Sequence, residues 1–219
     1  MVTPDNFIDI GTPLQELTPE FENQLWKAAD KLRKKVEVHQ YKYIVLGFIF
    51  LRYLTYAFYE RREELKKLFA DEESEYYIDE ELRDLALEDE DYYLAGVIYI
   101  PKEARWNHLV RNANKPNIAE IIERAIEILE EKYPGQLRDV IPKVYVSSNL
   151  DQYDLSYLIN LFSKIDFGYD HKASDIFGRI YEYFLDRFTE VEGKRGGKFF
   201  TPRSLTRLVF EALGYKLEV

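Results

Sequence analysis

Between Tyr41 and Phe69 the chain places its most apolar stretch, and Ile44 to Leu51 (IVLGFIFL) runs eight residues without a polar side chain. A helix that is apolar all round must be covered, either by lipid or by protein. Lys42, Arg52 and the charged tail from Glu60 leave far fewer than the roughly 20 apolar residues a bilayer span requires. The stretch therefore predicts a buried central helix, and the rest of the chain must supply its cover.

The flanking segments have the pattern to do so. Leu25, Trp26, Ala29, Leu32 and Val36 recur at helical spacing, while Lys31, Arg33, Lys34 and Lys35 occupy the remaining surface near the helix end, where cations are favoured. Asn117 is placed to cap a helix whose face is Ile118, Ile121, Ile122, Ala125, Ile128 and Leu129. Glu120 and Arg124 stand four apart on it, and Pro134-Gly135 stops it. Another helix, Leu155 to Ile165, follows the turn-rich SSNLDQ. Ser174 is placed to cap a last one, with Ile176, Phe177, Ile180, Tyr181, Phe184, Leu185 and Phe188 as a broad stripe. Ala95 to Ile100 reads as a short extended piece ending at Pro101. No fixed-period repeat is evident, so the class is mainly α without a solenoid.

Composition bounds the rest. With 219 residues, 46% of them hydrophobic and 16% aromatic, the chain is of a size and kind to bury a core. No cysteine means no disulfide framework and no thiolate metal site or nucleophile. The start, MVTPDNFIDIG, has no basic and apolar signal-peptide pattern, and a cytoplasmic location is expected. One methionine, no cysteine and abundant Lys and Glu fit a heat-adapted source. The net charge of −10 is unevenly spread: Asp71 to Asp91 holds twelve acids and a single base, Arg83. That segment reads as a solvated loop with a short helix near Glu80 to Leu87, or as an acidic docking strip or DNA mimic. The remainder is nearly neutral, so net charge does not exclude nucleic acid.

Few chemistries survive inspection. His39, His108 and His171 are far apart, with no ligand spacing, and read as structural or surface residues. Neither a nucleotide P-loop nor a G-x-S-x-G elbow occurs. Lys102, Arg105, Trp106, His108, Arg111 and Lys115 interleave cations with a ring. That pattern either contacts phosphate and stacks a base, or surrounds a packed Trp with outward charges. In Gly193 to Leu213, Gly196 and Gly197 permit close backbone approach. Thr201 and Pro202 fit an N-cap and first helical position, and Leu205, Leu208, Val209, Ala212 and Leu213 give the helix a buried face. Five bases and no acid lie between Gly193 and Arg207, a composition suited to an anionic or planar ligand, although a capped loop with a solvated charge run has the same text.

GKRGGKFFTPR resembles the G-x-F-Y/F-T-P segment that opens the catalytic domain of adenine-N6 DNA methyltransferases, specifically the methylation (M) subunit of type I restriction-modification systems. Leu25 to Leu54, Ile100 to Ala113 and Asp175 to Phe188 resemble the helical N-terminal region of that subunit in order and spacing. The resemblance implies an enzyme that moves a methyl group from S-adenosyl-L-methionine to adenine N6 in duplex DNA. A separate specificity subunit would choose the sequence, with a restriction subunit as a further partner and no membrane. It implies that Lys198, Phe199, Phe200, Thr201, Pro202 and Arg203 line the cofactor pocket, with Phe200 where tyrosine is common.

No catalytic residue is assigned. The cofactor glycine loop and the Asn/Asp-Pro-Pro-aromatic motif are both missing, and Asn114-Lys115-Pro116-Asn117 lacks the double proline and the ring. The expected organisation is an arm over residues 1–20 and a helical domain over 21–170. Residues 171–219 would form a connecting helix and the first helix of a truncated Rossmann-like methyltransferase domain, inactive alone and binding the cofactor weakly or not at all. Two other readings stay open: a non-catalytic helical module that docks on a methyltransferase or specificity subunit, and a standalone DNA-binding protein.

Overall fold

The computed structural model describes residues 16–36, 38–93, 97–167 and 173–193. Seven α-helices and two 3-10 turns make up its regular structure, with no strand among the described residues, so the mainly α class holds.

Helix α1, Pro19–Leu32, begins as its sequence dictates: Thr18 Oγ1 accepts from the Phe21 amide at 3.3 Å, and Pro19 sits where its missing N–H costs nothing. Helix α2, Val38–Ala70, is the predicted central element. At about 1.5 Å per residue, its 33 residues rise about 50 Å. Tyr41, Ile44, Val45, Phe48, Ile49 and Phe58 are fully buried on several sides of it, which is what an all-round apolar helix demands. The cover comes from α1, from α3 (Glu80–Ala86), α4 (Trp106–Asn112), α6 (Gln152–Phe162) and α7 (Ala173–Gly193), and from the 3-10 turn Glu90–Tyr93. Helix α5, Ile118–Lys132, lies outside this layer against α4, α6 and the second 3-10 turn, Lys102–Ala104.

The last helix is bound tightly into the same core. Phe188 lies edge-on to Tyr41 at 5.1 Å and tilted against Trp26 at 5.6 Å, and Phe177 stacks on Tyr53 at 4.3 Å. At the surface Arg179 bridges Glu22 at 2.8 Å.

Several expectations need correction. The stripe on α5 is wider than read, since Ile126 is fully buried while Ile121 and Ile128 are only partly covered. Asn117 stands at the N-cap without a side-chain hydrogen bond to the helix. Arg124 turns away from Glu120 to Glu127 (3.1 Å) and Glu131 (3.0 Å), two acids on its C-terminal side that together outbid one. Helix α7 already includes Ala173, so Ser174 lies within its first turn. Of the stretch Ala95 to Ile100, Ala95 and Gly96 lie outside the described residues, and 97–100 carry neither helix nor strand, with Ile100 buried and Val97, Ile98 and Tyr99 resting against the core.

The acidic segment behaves as its helix signal predicts, and α3 occupies Glu80–Ala86. Its two ends are tied to the body. The Ile78 amide donates to the Phe69 carbonyl at 3.0 Å, and the Tyr93 hydroxyl donates to the Leu87 carbonyl at 2.9 Å. The segment follows directly on the C-terminal end of α2, whereas Lys31 to Lys35 lead into its N-terminal end.

Candidate functional site

Two candidate sites follow from the sequence and a third from the structure. The first, the proposed cofactor wall Lys198, Phe199, Phe200, Thr201, Pro202 and Arg203, lies outside the described residues, as does His171. What the structure gives is its approach: α7 runs to Gly193, anchored through Phe177, Phe184 and Phe188.

The second candidate is the run from Lys102 to Lys115, and packing decides it. Trp106 is 0% exposed. Its indole N–H donates to Ser163 Oγ at 2.8 Å, its amide donates to Thr55 Oγ1 at 2.9 Å, and its ring meets Phe48 edge-on at 5.8 Å. A ring so placed stacks on no base. Arg105 is a correction to the outward-charge reading, being 7% exposed. It donates from Nε to the Ile100 carbonyl at 2.9 Å, lies 4.6 Å from the Phe58 ring centre, and bridges Glu88 at 2.7 Å. Sequence reasoning missed this because the partner is 17 residues away in the acidic run. Arg62 reaches the other Glu88 oxygen at 2.9 Å, and the Tyr99 hydroxyl donates to Glu88 at 3.1 Å. Burial alone would push the Glu88 carboxyl up, but Arg105, Arg62 and Tyr99 hold it below the usual carboxylate range. This cluster fastens the acidic segment to the core. His108 lines an open cleft of about 510 Å³ with Glu103, Ile121, Arg124, Ile128 and Glu131. No metal-binding cluster occurs among the described residues.

The third candidate was not read from the sequence. Helix α6 exposes Tyr153 (79%) and Tyr157 (48%) one turn apart, with Asn160 exposed on the next turn. On one flank of that face, Ser156 Oγ donates to Asn114 Oδ1 at 3.1 Å, which brings the Asn114-Lys115 turn alongside. On the other, Lys35 bridges Asp154 at 2.6 Å and the Lys31 ammonium lies 5.7 Å from the Tyr157 ring centre. Hydrogen bonding to Asp154 raises the pKa of Lys35, so this lysine stays charged. Lys27, Lys31 and Lys34, spaced four and three apart, continue the basic row along α1 and its following turn, all exposed. A sequence signal existed in SSNLDQYDLSYLIN: two tyrosines in register, off the apolar stripe of Leu155, Leu158, Ile159 and Phe162.

Comparison with known proteins then fixes the lineage. Residues 21–162 match the model of the HsdM N-terminal domain, from within α1 to the last residue of α6. The chain belongs to the HsdM N-terminal domain family. Residues 172–218 match the N-6 DNA Methylase model, so the changeover falls between α6 and α7. The HsdM-type chain is 66% identical to the type I restriction enzyme MjaIX methylase subunit of Methanocaldococcus jannaschii, over 92% of its own length and 36% of the relative's. Identity is 34% to the HindI methylase subunit of Haemophilus influenzae (52% of this chain, 30% of the relative). It is 26% to the MpnII methylase subunit of Mycoplasma pneumoniae (89% and 40%). The chain thus spans about a third of the length of these relatives. No helix among its described residues is long and apolar enough to cross a membrane.

Proposed function

We propose that the chain is the N-terminal, mainly helical part of a cytoplasmic type I DNA methylase subunit. In full, the subunit transfers methyl from S-adenosyl-L-methionine to adenine N6 in DNA. The observation that supports this most is the order of the two family matches, helical domain over residues 21–162 and methylase over 172–218, with α7 at the start of the second. The division into an arm (1–20), a helical domain (21–170) and a connecting helix with the start of the catalytic domain (171–219) follows the same order.

In this reading the helical body holds DNA and a specificity subunit, with a restriction subunit as a further partner. Lys198 to Arg203 form one wall of the cofactor pocket. When bound, the cofactor supplies the methyl group. Phe199 or Phe200 packs on its adenine ring, and the Thr201 hydroxyl and nearby backbone amides meet its polar groups. The cofactor glycine loop and the motif that receives the flipped base are missing from residues 1–219. The chain alone therefore transfers no methyl and binds the cofactor weakly or undetectably.

A chimera tests the reading. This chain replaces the matching 203 residues of the M. jannaschii methylase subunit, and the product is assembled with a specificity subunit. Incorporation of radiolabelled methyl at adenine N6 is the expected result. A folded chimera that stays inactive beside an active parent overturns it. Calorimetric titration of the chain alone with S-adenosyl-L-methionine checks the binding, and tight binding would contradict it.

A further inference from the structure

We propose that the face formed by α6 and the C-terminal part of α1 is a binding site for the sugar-phosphate backbone of duplex DNA. The inference rests on the DNA-methylase reading and adds to it the surface that carries the contact. Helical geometry places Tyr153, Tyr157 and Asn160 on one outward face of α6, opposite the buried row of Leu155, Leu158 and Phe162. Neither tyrosine belongs to the buried core or packs against it. On a DNA backbone their hydroxyls donate to phosphate oxygens and their rings cover deoxyribose.

The flanks make the face more than a pair of rings. Gln152 and Ser156 lie on one side of the tyrosine row and hold the turn that carries exposed Lys115. Asp154 lies on the other side and holds Lys35, beside Lys31 over Tyr157. Cations thus border α6 on both edges. The helix between them, about 10–12 Å across with its side chains, is of the size that the roughly 12 Å wide major groove admits, and the groove's two edges are phosphate rows. No acid among the described residues pairs with Lys27, Lys31 or Lys34, so their charge is available to an external anion; Asp30, the acid within α1's last turn, is engaged by Arg33 at 2.9 Å. Contacts of this kind fix a protein on a duplex without reading sequence, consistent with a chain that leaves sequence choice to another subunit.

The test uses the full chain and a 20-base-pair duplex, with affinity measured across salt concentrations. Wild type is expected to bind at 50 mM salt with log Kd rising linearly with log salt. Substituting Lys27, Lys31 and Lys34 by Gln removes up to three phosphate contacts, expected to lower the slope by about 2–3 and the low-salt affinity at least tenfold. Y153S/Y157S is expected to weaken binding several-fold while leaving the slope intact, because no charge is removed. All five positions are exposed, and thermal unfolding of each variant checks that the fold is kept. The proposal is overturned if wild type does not bind duplex, if the lysine variant binds like wild type, if single strands bind tighter than duplex, or if polyglutamate at equal charge displaces the DNA as well as DNA does. An active chimera beside a chain with no duplex affinity refutes this surface and leaves the methylase reading standing; an inactive chimera does the reverse.

Discussion

Gly47 shows how one missing methyl group lets a loop reach the centre of the molecule. A Cβ at this position would sit inside the contact distance of the Tyr145 hydroxyl and 3.2 Å from Ile141 Cγ2. Tyr145 cannot swing aside, being fully buried with its hydroxyl donating to the Ile44 carbonyl at 3.2 Å. Two effects oppose each other in Gly47→Ala. Helix propensity favours alanine by about 1 kcal/mol, whereas overpacking costs about 1–3 kcal/mol, to which the displaced hydrogen bond adds about 1 kcal/mol. The substitution is expected to destabilise the chain in urea unfolding, and the loss should shrink markedly in a Tyr145→Phe background, where the hydroxyl is gone. A loss of the same size in both backgrounds would remove the hydroxyl from the explanation. Ser163 is a second such point. It accepts from the Trp106 indole and donates to the Ile159 carbonyl at 2.6 Å, so Ser163→Ala leaves a buried N–H without its acceptor. A loss of about 1–3 kcal/mol is expected, and a near-neutral result would mean another acceptor reaches the indole.

Among the elements, the acidic segment has its most connected tie in one carboxylate. Glu88 joins Arg62 from α2 to Arg105 at the start of α4, beside a backbone that both Arg62 and Tyr93 grip at the Leu87 carbonyl. The sign of its pH effect follows from its depressed folded pKa. The stabilisation is present above the unfolded value of about 4.3 and is lost as pH falls through the lower folded one. Glu88→Gln is expected to cost about 2–3 kcal/mol at pH 7, as for hydrogen bonds to charged groups, with the gap to wild type closing toward pH 3. Equal gaps at the two pH values would show that the charge contributes nothing.

The same element marks the limit of what could be read beforehand. Helix α2 was legible from its unbroken apolar run, α1, α5, α6 and α7 because apolar residues recur every three to four positions, and α3 because its acids and leucines sit together. Arg105 was not, because its burial depends on a partner brought close only by the fold. Tyr153 and Tyr157 were legible as off-stripe residues, but their cationic borders come from α1 and the α4–α5 turn, far away in sequence. The cofactor wall was read from text resemblance alone and lies outside the described residues.

For the whole molecule, stability joins an aromatic core to a surface laced with ion pairs. Pairs such as Lys143 with Glu130, Lys132 with Glu90 and Arg124 with Glu127 and Glu131 gain relative value as temperature rises. The thermal midpoint is expected above the roughly 45–65 °C of mesophilic domains, and to fall when salt screens the surface. A midpoint inside that range would count against heat adaptation.

The long rise of α2 has a further consequence. Its N-terminal end is joined to the lysines of α1 and its C-terminal end to a segment of twelve acids and one base, about 50 Å apart along the axis. Among the described residues, a basic and an acidic segment thus adjoin opposite ends of one helix. In the field of a polyanion such a body is turned before it touches, with the lysine end leading and the acidic end trailing. On the proposed reading, the approach to DNA is oriented in advance, and the residues that set the orientation need not be those that make the contact.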